Sequence, residues 1–352
     1  MPKLTVNLVT WNGEKYIPYL FDALSKQTYK DFKLNILDNG SSDKTVETIK
    51  KELNNLFVQY ELVESKENLG FAGGHNMLYQ KIESEYVLLL NQDTYLMPDC
   101  VEKLMAFMES HQQAGSVTPR LMQWDFAAVI NGLSDSFTGQ VDSLGVDVMR
   151  SRRAVEILGG AIWDVSIFSP DEGNSIQIFG ASGALPLYRV SALREVVFSD
   201  GYIFDSLYGS YKEDVDLAFR LTAAGYESFA VLEAEAYHKR SGAEAEEKDD
   251  WAAASNKSEQ SYLVKYNSYK NHLMTLYKNE YWQNFILDFP WILWYELKKF
   301  AYFLVFDRPV LSGLKEIWQN RRGLAEKRKL AKNKRKINWK KMRSFWAYDI
   351  PL

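Results

Sequence analysis

The stretch YVLLLNQDTYL, Tyr86 to Leu96, runs apolar for several residues and then turns polar at Asn91, Gln92 and Asp93. Such a run reads as a strand buried on both faces, and a carboxylate at its end is costly to bury unless something holds it. An oxygen ligand there suits Mg2+ or Mn2+, which take few carboxylates together with phosphate oxygens. A second acidic group opens YKEDVDLAFRL, where Glu213, Asp214 and Asp216 precede or interleave with the inward-facing Val215, Leu217, Phe219 and Leu221. The helix dipole favours acids at such a start, but three within four residues exceed what capping needs, and a surplus carboxylate at a crevice suits a general base. His238 ends the strand SFAVLEAEAYH. A lone imidazole is more often a structural hydrogen-bonding group; beside a metal-holding Asp it becomes a ligand. The loop ENLGFAGGHN, Glu67 to Asn76, packs three glycines where a strand hands over to a helix, which allows close backbone approach and presents free N–H groups to an anion. It lacks both the dinucleotide fingerprint and the P-loop, so a purely structural turn is the competing reading.

These residues need a scaffold that brings them together. KLTVNLVTWN, FKLNILDNGSSD, VQYELVES and YVLLLNQD read as strands, with YIPYLFDALSKQ, KTVETIKKELNN and FAGGHNMLYQKI as the helices between them. That alternation predicts βαβ units and a largely parallel sheet flanked by helices, in which ligands collect at the carboxyl ends of the strands. Thr10 and Asn12 follow the first strand, Asp38, Asn39 and Gly40 the second, Asn68 to Gly74 the third and Asn91 to Asp93 the fourth. Four polar clusters should therefore converge on one crevice. Residues 125–175 carry weak periodicity and several turn signals, which predicts an irregular insertion or a second small sheet. IQIFGASGALPLYRVSAL restores a strand, a Gly-rich turn and a helix start.

Composition narrows the classes. The 352 residues are 46% hydrophobic and contain one cysteine, Cys100, which excludes an internal disulfide framework and a Cys-rich zinc site. MPKLTVNLVTWN lacks the apolar core of a signal peptide, so a cytoplasmic setting is expected. The net charge of −4 hides an asymmetry, because Arg321 to Arg343 carries 12 Lys or Arg against one acid, Glu326. The acidic segment SGAEAEEKDDWAAASNKSEQ predicts a boundary: a first domain over 1–243, divided near residue 95, a linker over 244–260 and a helical region over 261–352. Within that last region NFILDFPWILWYELKKFAYFLVF is the most apolar stretch, but it contains Asp288, Pro290, Glu296, Lys298 and Lys299 and so predicts one or two amphipathic helices instead of a membrane span.

Taken in order, VTWNGEKYI, ILDNGSSDKT, ENLGFAGGHN, LLLNQDTYL, FGASGALPLYR, YKEDVDLAFRL and AYHKRSG resemble the inverting family 2 glycosyltransferases with the GT-A fold, most closely their rhamnosyltransferase-like bacterial branch. The resemblance covers roughly the first 240 residues and implies a Rossmann-like GT-A domain. It implies that Asp93 holds a divalent cation, Mg2+ or Mn2+, on the diphosphate of a nucleotide-sugar donor, with His238 as a further ligand and Asn91 at the first position of the Asp-x-Asp element. Thr10, Asn12 and Asp38, with Gly40, match positions that cradle the nucleoside. Asn68, Gly70 and Gly73, with Asn76, match the loop beside it. Asp214 matches the catalytic base. The Gln-x-x-Arg-Trp element of processive synthases is absent, so transfer of one sugar per binding event is implied, with dTDP-L-rhamnose as donor and UDP- or GDP-sugars as alternatives. The acceptor implied is a glycan or polyprenyl-linked glycan.

YLVKYNSYKNHLMTLYKN resembles a segment of the same branch that often carries Arg-Asn where this chain has Lys270-Asn271. Beyond it, aromatic amphipathic helices followed by a basic tail predict peripheral association with an anionic membrane surface at its inner face; a helical homo-oligomer interface with a solvated tail is the alternative. The tail alone would also suit nucleic acid, but the body is acidic and carries no nucleic-acid motif, so no nucleic-acid partner is expected. A pyrophosphorylase would need a Gly-rich basic loop after the first strand, which VTWNGEKYIPYL lacks. A catalytically degenerate binding module is disfavoured by the intact Asp93, Asp214 and His238.

Overall fold

The computed structural model describes residues 2–56, 58–168, 174–239 and 260–347. The expected linker over 244–260 therefore lies outside the described residues apart from Gln260, as do Arg240, Ser241 and Gly242 of the AYHKRSG motif.

The chain opens as three βα units: β1 (Leu4–Thr10), α1 (Ile17–Lys26), β2 (Phe32–Asp38), α2 (Thr45–Leu53), β3 (Gln59–Glu64) and α3 (Gly70–Tyr79). Next come β4 (Tyr86–Asn91), the short β5 (Thr94–Leu96), α4 (Cys100–Ser110), β6 (Ala114–Trp124) and β7 (Phe137–Ser143). The middle of the chain holds β8 (Val146–Met149), β9 (Ala154–Glu156), β10 (Ser175–Ile178), β11 (Leu187–Arg189), α5 (Val190–Val196), α6 (Glu213–Ala223) and β12 (Glu227–His238). After the acidic segment follow α7 (Tyr262–Asn279), α8 (Trp282–Phe306), α9 (Ser312–Gln319), α10 (Arg321–Asn333), α11 (Trp339–Arg343) and β13 (Trp346–Ala347).

The strands of the main sheet run in the order β10, β12, β6, β11, β4, β1, β2, β3, with β5 pairing β12 and β7 pairing β6. β3, β2, β1 and β4 are mutually parallel, and β12 is parallel to β6; β11 joins the two halves antiparallel to β4 and β6. The parallel half is built as its composition demands. Leu4, Val6 and Leu8 of β1, Leu34 and Ile36 of β2 and Leu88 and Leu90 of β4 are fully buried against α1 and α4, while Val87 and Leu89 point to the opposite face and meet Tyr188, Leu193 and Leu217. Burial on both sides explains why these strands read as near-continuous apolar runs. Gly74 lies where α3 crosses the sheet, and a Cβ there would come within 2.9 Å of Val9 and 3.0 Å of Leu37.

Of the two alternatives for residues 125–175, the second small sheet is present: β8 pairs β9 in a separate sheet that the C-terminal β13 completes, while β7, which neither alternative foresaw, extends the main sheet. Beyond residue 260 the described chain is helical except for β13. The apolar 282–306 stretch forms one helix that continues through Pro290.

The C-terminal helices share cores with the sheet. Met274 and Leu324 pack with Leu217 and Leu221, and Met342 and Trp346 pack with Phe179 and Phe219. Much of the basic segment is engaged internally instead of trailing into solvent. Lys327 reaches Asp205, Lys336 pairs with Glu195, Arg343 pairs with Asp288, and Arg335 donates to the carbonyl of Asn279.

Candidate active site

Adjacent strand ends come first. β1 and β2 are in register so that Thr10 faces Asp38, and the Thr10 hydroxyl donates to the buried Asp38 carboxylate at 3.1 Å. Asp38 also accepts from the Ser41 N–H at 2.9 Å, which turns the chain after β2. Asn12 adopts φ +47° and accepts from the Ser42 N–H at 2.8 Å, so the loops after β1 and β2 are tied together. Gly40, at φ +75°, lies so close to the backbone of Glu67 that a Cβ would sit 3.2 Å from its carbonyl carbon.

Asn39 links that corner to the Gly-rich loop. Its amide donates to the Asn68 side chain at 3.0 Å and to the Gly70 carbonyl at 3.1 Å, and it accepts from the Leu69 N–H at 2.8 Å. Gly70, at φ +72°, faces Gly209, and a Cβ there would meet the Gly209 carbonyl oxygen at 2.6 Å. That carbonyl accepts from the Ala72 N–H at 2.9 Å. Gly73 lies in the first turn of α3 against its own Leu69. Asn76 faces away from this corner: its side chain both donates to and accepts from the Phe204 backbone, at 2.9 and 3.0 Å, and so anchors α3 to the loop before α6. Thus the expected donor-binding positions Thr10, Asn12, Asp38, Gly40, Asn68, Gly70 and Gly73 form one connected rim, and Asn76 is a clasp beneath it.

The β4 end answers what holds Asp93. Gln92 donates to the Trp11 carbonyl and accepts from the Trp11 N–H, both at 2.9 Å, which ties the loop after β1 to the end of β4. Asn91, half-buried, donates its N–H to the Ala184 carbonyl at 3.1 Å. Asp93 is buried, and its Oδ1 lies 3.5 Å from His238 Nε2, while His238 Nδ1 lies 2.9 Å from Asp142 Oδ2. β12 and β5 bring the two together, since His238 is the register partner of Thr94. Burial alone would push the imidazole down, but the charges of Asp93 and Asp142 outweigh it and push it up to about 10. Two carboxylates thus stabilise a positive charge between them, whether a proton on His238 Nε2 or, in that proton's place, a cation bound there.

Among the described residues no three or more His, Cys, Asp or Glu side chains form a metal cage. Asp93 and His238 still fit a divalent cation whose remaining ligands come from phosphate and water. Two atoms each about 2.1 Å from one cation and at a right angle lie about 3 Å apart, close to the observed Asp93–His238 separation. Asp142, on the far nitrogen, fixes the ring orientation, as carboxylate partners of ligating histidines do.

The three acids of α6 have three environments. Asp216 is buried in a network with Arg220 at 3.1 Å, Lys278 at 3.0 Å and Asn279 at 2.7 Å. Glu213 is buried with Oε2 unpartnered, and burial together with the Asp214 charge drives its carboxyl well above the ordinary range. Asp214 is half-buried, accepting from the Gly183 N–H at 3.1 Å and the Val215 N–H at 2.7 Å. Burial raises its carboxyl, opposed by the Lys212 charge and those two N–H groups. Gly183 is in the same turn as Ala184, so one short loop touches both Asn91 and Asp214. A Cβ on Gly183 would sit 3.1 Å from Asp214 Oδ2.

The turn carrying Asp214 is unusual backbone. Tyr211 and Lys212 both lie in the left-handed region, at φ +73° and +67°, a conformation costly for residues with a Cβ. Asn271 of α7 holds it. The fully buried amide nitrogen donates to the carbonyls of Tyr208, Ser210 and Tyr211 at 3.0, 3.0 and 2.7 Å. Lys270 beside it donates to the Leu207 carbonyl at 2.8 Å. The loop anchored in this way also carries Gly209 against Gly70, so the base and the Gly-rich rim share one support.

Reasoning from sequence placed Asn39 and Gln92 in the polar clusters expected at the crevice without giving either a role, and it did not assign Asp142 or Gly183 to the site. Asn39 and Gln92 were within reach, because each neighbours an assigned residue at a strand end. Asp142 lies in the stretch with the weakest periodicity, and its partner is 96 positions away. Asn271 carried a signal only through the Lys-Asn pair.

With this geometry in place, residues 5–123 match the family described as glycosyl transferase family 2, and residues 86–306 match glycosyl transferase family group 2. The second match covers more than half of the chain, which belongs to the family 2 glycosyltransferases. The chain is 25% identical over 204 residues to the poly(ribitol-phosphate) beta-N-acetylglucosaminyltransferase TarS of Staphylococcus aureus, a match covering 56% of this chain and 35% of that protein. It therefore spans about a third of that relative's length. Among solved structures, a mannosyltransferase from Pyrobaculum calidifontis in complex with GDP-Man and Mn2+ is similar with a TM-score of 0.50 and 15% identity, covering 95% of this chain and 86% of that one. GalNAc-T7 with UDP, GalNAc and Mn2+ is similar with a TM-score of 0.56 and 11% identity, covering 78% and 47%. These structures share the mixed α/β GT-A fold with this chain.

Proposed function

We propose that this protein transfers a single sugar from a nucleotide-diphosphate donor to a hydroxyl of a glycan or lipid-linked glycan acceptor in cell-surface polymer synthesis, with inversion at the anomeric carbon. The observation that carries the reading is the half-buried Asp214 carboxylate. It is raised by burial and aimed by two N–H groups, and the Gly183–Ala184 turn connects it to the strand end bearing Asp93. Asp214 takes the proton of the acceptor hydroxyl as that oxygen attacks the anomeric carbon from the face opposite the departing nucleotide diphosphate. No second carboxylate is needed to protonate the leaving group, unlike the acid/base pair of a glycosidase. A divalent cation held by Asp93 and His238 would offset the charge that develops on that diphosphate. The rim from Thr10 to Gly70 binds the nucleoside. Mn2+ in the two similar structures supports the cation.

For the donor, the resemblance of the motifs to the rhamnosyltransferase-like branch points to dTDP-L-rhamnose, whereas the poly(ribitol-phosphate) N-acetylglucosaminyltransferase relative favours a donor of N-acetylglucosamine. That relative also supports a cell-wall polymer as acceptor; action in the cytoplasm beside the membrane is part of the proposal. A panel of dTDP-, UDP- and GDP-sugars, read by release of nucleoside diphosphate with an isolated cell-wall glycan acceptor, separates the donors. Wild-type turnover on one donor, reduced about 10²- to 10⁴-fold in Asp214→Asn with nucleotide binding retained, is the expected result. Turnover unchanged in Asp214→Asn would remove the base assignment.

A further inference from the structure

α8 buries polar residues and exposes apolar ones. Its face against the protein carries Asn284, Asp288 and Lys299 buried beside Ile292 and Phe303, while Trp282, Ile286, Phe289, Leu293, Phe300 and Leu304 are exposed. Those six recur at intervals of three, four and seven, which places them on one side of a 25-residue helix, about 37 Å long. Each polar residue inside has a partner. Asp288 meets Arg152 at 3.1 Å and Arg343 at 2.8 Å, Asn284 donates to the Trp339 carbonyl at 3.0 Å, and the Lys299 ammonium lies 5.0 Å from the Tyr295 ring centre. The protein has therefore invested its polar contacts inward and left an apolar stripe in water, which an isolated soluble surface avoids.

We infer that this stripe docks on an anionic lipid surface, with α8 lying in the plane of the interface. Charge and aromatic placement select the occupant. The exposed apolar surface continues round α8 from the stripe through Leu297, Trp294 and Leu287 to Trp291 at its far edge, and the two tryptophans each carry a cation: the Arg150 guanidinium lies 3.6 Å from the Trp291 ring centre and Lys298 Nζ lies 5.8 Å from that of Trp294. The pattern continues at Trp318, 66% exposed, with Arg321 stacked at 4.5 Å. Beyond it Arg322, Lys329, Lys332, Lys340 and Lys341 remain exposed even though other basic residues of the segment are paired internally. Apolar stem, tryptophan rim and cationic border match the depth profile of an anionic interface, whereas a protein–protein core is depleted of such charge. Among the described residues no helix is long and apolar enough to cross a membrane, and the buried Asp288 and Lys299 keep α8 on the surface. The inference deepens the proposed function, since a lipid-bound acceptor would be met at the membrane, but vesicle binding needs neither donor nor acceptor and so succeeds or fails independently of it.

The test is co-sedimentation of the full chain with vesicles of phosphatidylglycerol and phosphatidylcholine, and with phosphatidylcholine alone, for wild type and a Phe289→Ser, Leu293→Ser, Phe300→Ser variant. All three positions are exposed, so near-ultraviolet circular dichroism should be unchanged. We expect wild type to bind the anionic vesicles and the variant to bind at least about tenfold more weakly, with neutral vesicles binding less than anionic ones. Wild type that does not bind vesicles, a variant that binds as well as wild type, or equal binding to both compositions would each overturn the inference. Ultracentrifugation of the same pair adds one more contrary outcome: concentration-dependent self-association lost in the variant, without vesicle binding, would make the occupant a second copy of this chain.

Discussion

Three carboxylates in the first turn of α6 share one dipole and one stretch of chain, yet only Asp214 is free of both complete burial and ion pairing. Asp216 is fixed by Arg220, Lys278 and Asn279, and the Glu213 carboxyl is raised by burial and by its neighbour. Asp214 keeps access to the crevice while burial lifts its affinity for protons. A base must be deprotonated to work, so kcat/KM should fall as pH drops through a value above the usual carboxylate range, ~4. A profile recorded between pH 4.5 and 8 should show that acidic limb, and a rate flat to the lowest pH would contradict it. The functional types at the site were legible from short patterns: a carboxylate ending an apolar strand, a surplus of acids at a helix start, a histidine at a strand end. What distinguishes Asp214 from Glu213 and Asp216 was not, because it depends on Gly183, Lys278 and Asn279, all distant in sequence.

At the scale of elements, α7 decides the shape of the catalytic turn. It buries a polar face, with Asn267, Asn271, Lys278 and Asn279 turned toward α6 and the loop before it. Asn271 satisfies three carbonyls of a backbone held partly in the left-handed region, and Lys278 reaches Asp205 and Asp216. Such a helix defies amphipathic pattern reading, since its inward residues are those a pattern assigns to solvent. The parallel strands, by contrast, announced themselves through unbroken apolar runs. Replacing Asn271 with Ala should strand buried carbonyls and release the turn, costing about 2–3 kcal/mol of stability. The turnover rate should fall by more than nucleotide affinity does, because Asp214 moves while the corner from Thr10 to Asp38 stays. Equal losses in both quantities, measured by calorimetry and turnover on the folded variant, would reduce Asn271 to a structural role.

At the scale of the molecule, the C-terminal helices and the sheet are joined by buried ion pairs as well as shared cores. Asp205 is the hub, bonded to Lys278 at 2.8 Å and Lys327 at 2.5 Å. Burial would push its carboxyl up, but the two lysines outweigh burial and hold it well below the ordinary range. A folded-state value depressed in this way contributes stability that is fully present above the unfolded value of about 4 and is lost as pH falls toward the folded one. Thermal unfolding should therefore show an acid-side loss of stability below about pH 5 that is blunted in Asp205→Asn, although that variant starts less stable at pH 7. An acid limb identical in both proteins would place the effect elsewhere. The charge count of residues 321–343 was visible in the sequence; that Lys327, Arg335, Lys336 and Arg343 fold back onto the body was not, since their partners Asp205, Asn279, Glu195 and Asp288 lie 55 to 141 positions away along the chain.

The central claim is a nucleotide-diphosphate site completed by a cation at Asp93 and His238. Its most direct test is calorimetric binding of dTDP, UDP and GDP to wild type and to Asp93→Ala, each with Mn2+ and with EDTA. Wild type should bind one nucleotide preferentially and only weakly without metal, while Asp93→Ala should bind alike in both conditions at the weaker level. Nucleotide binding by wild type that is indifferent to EDTA, or a metal dependence that persists in Asp93→Ala, would contradict the account.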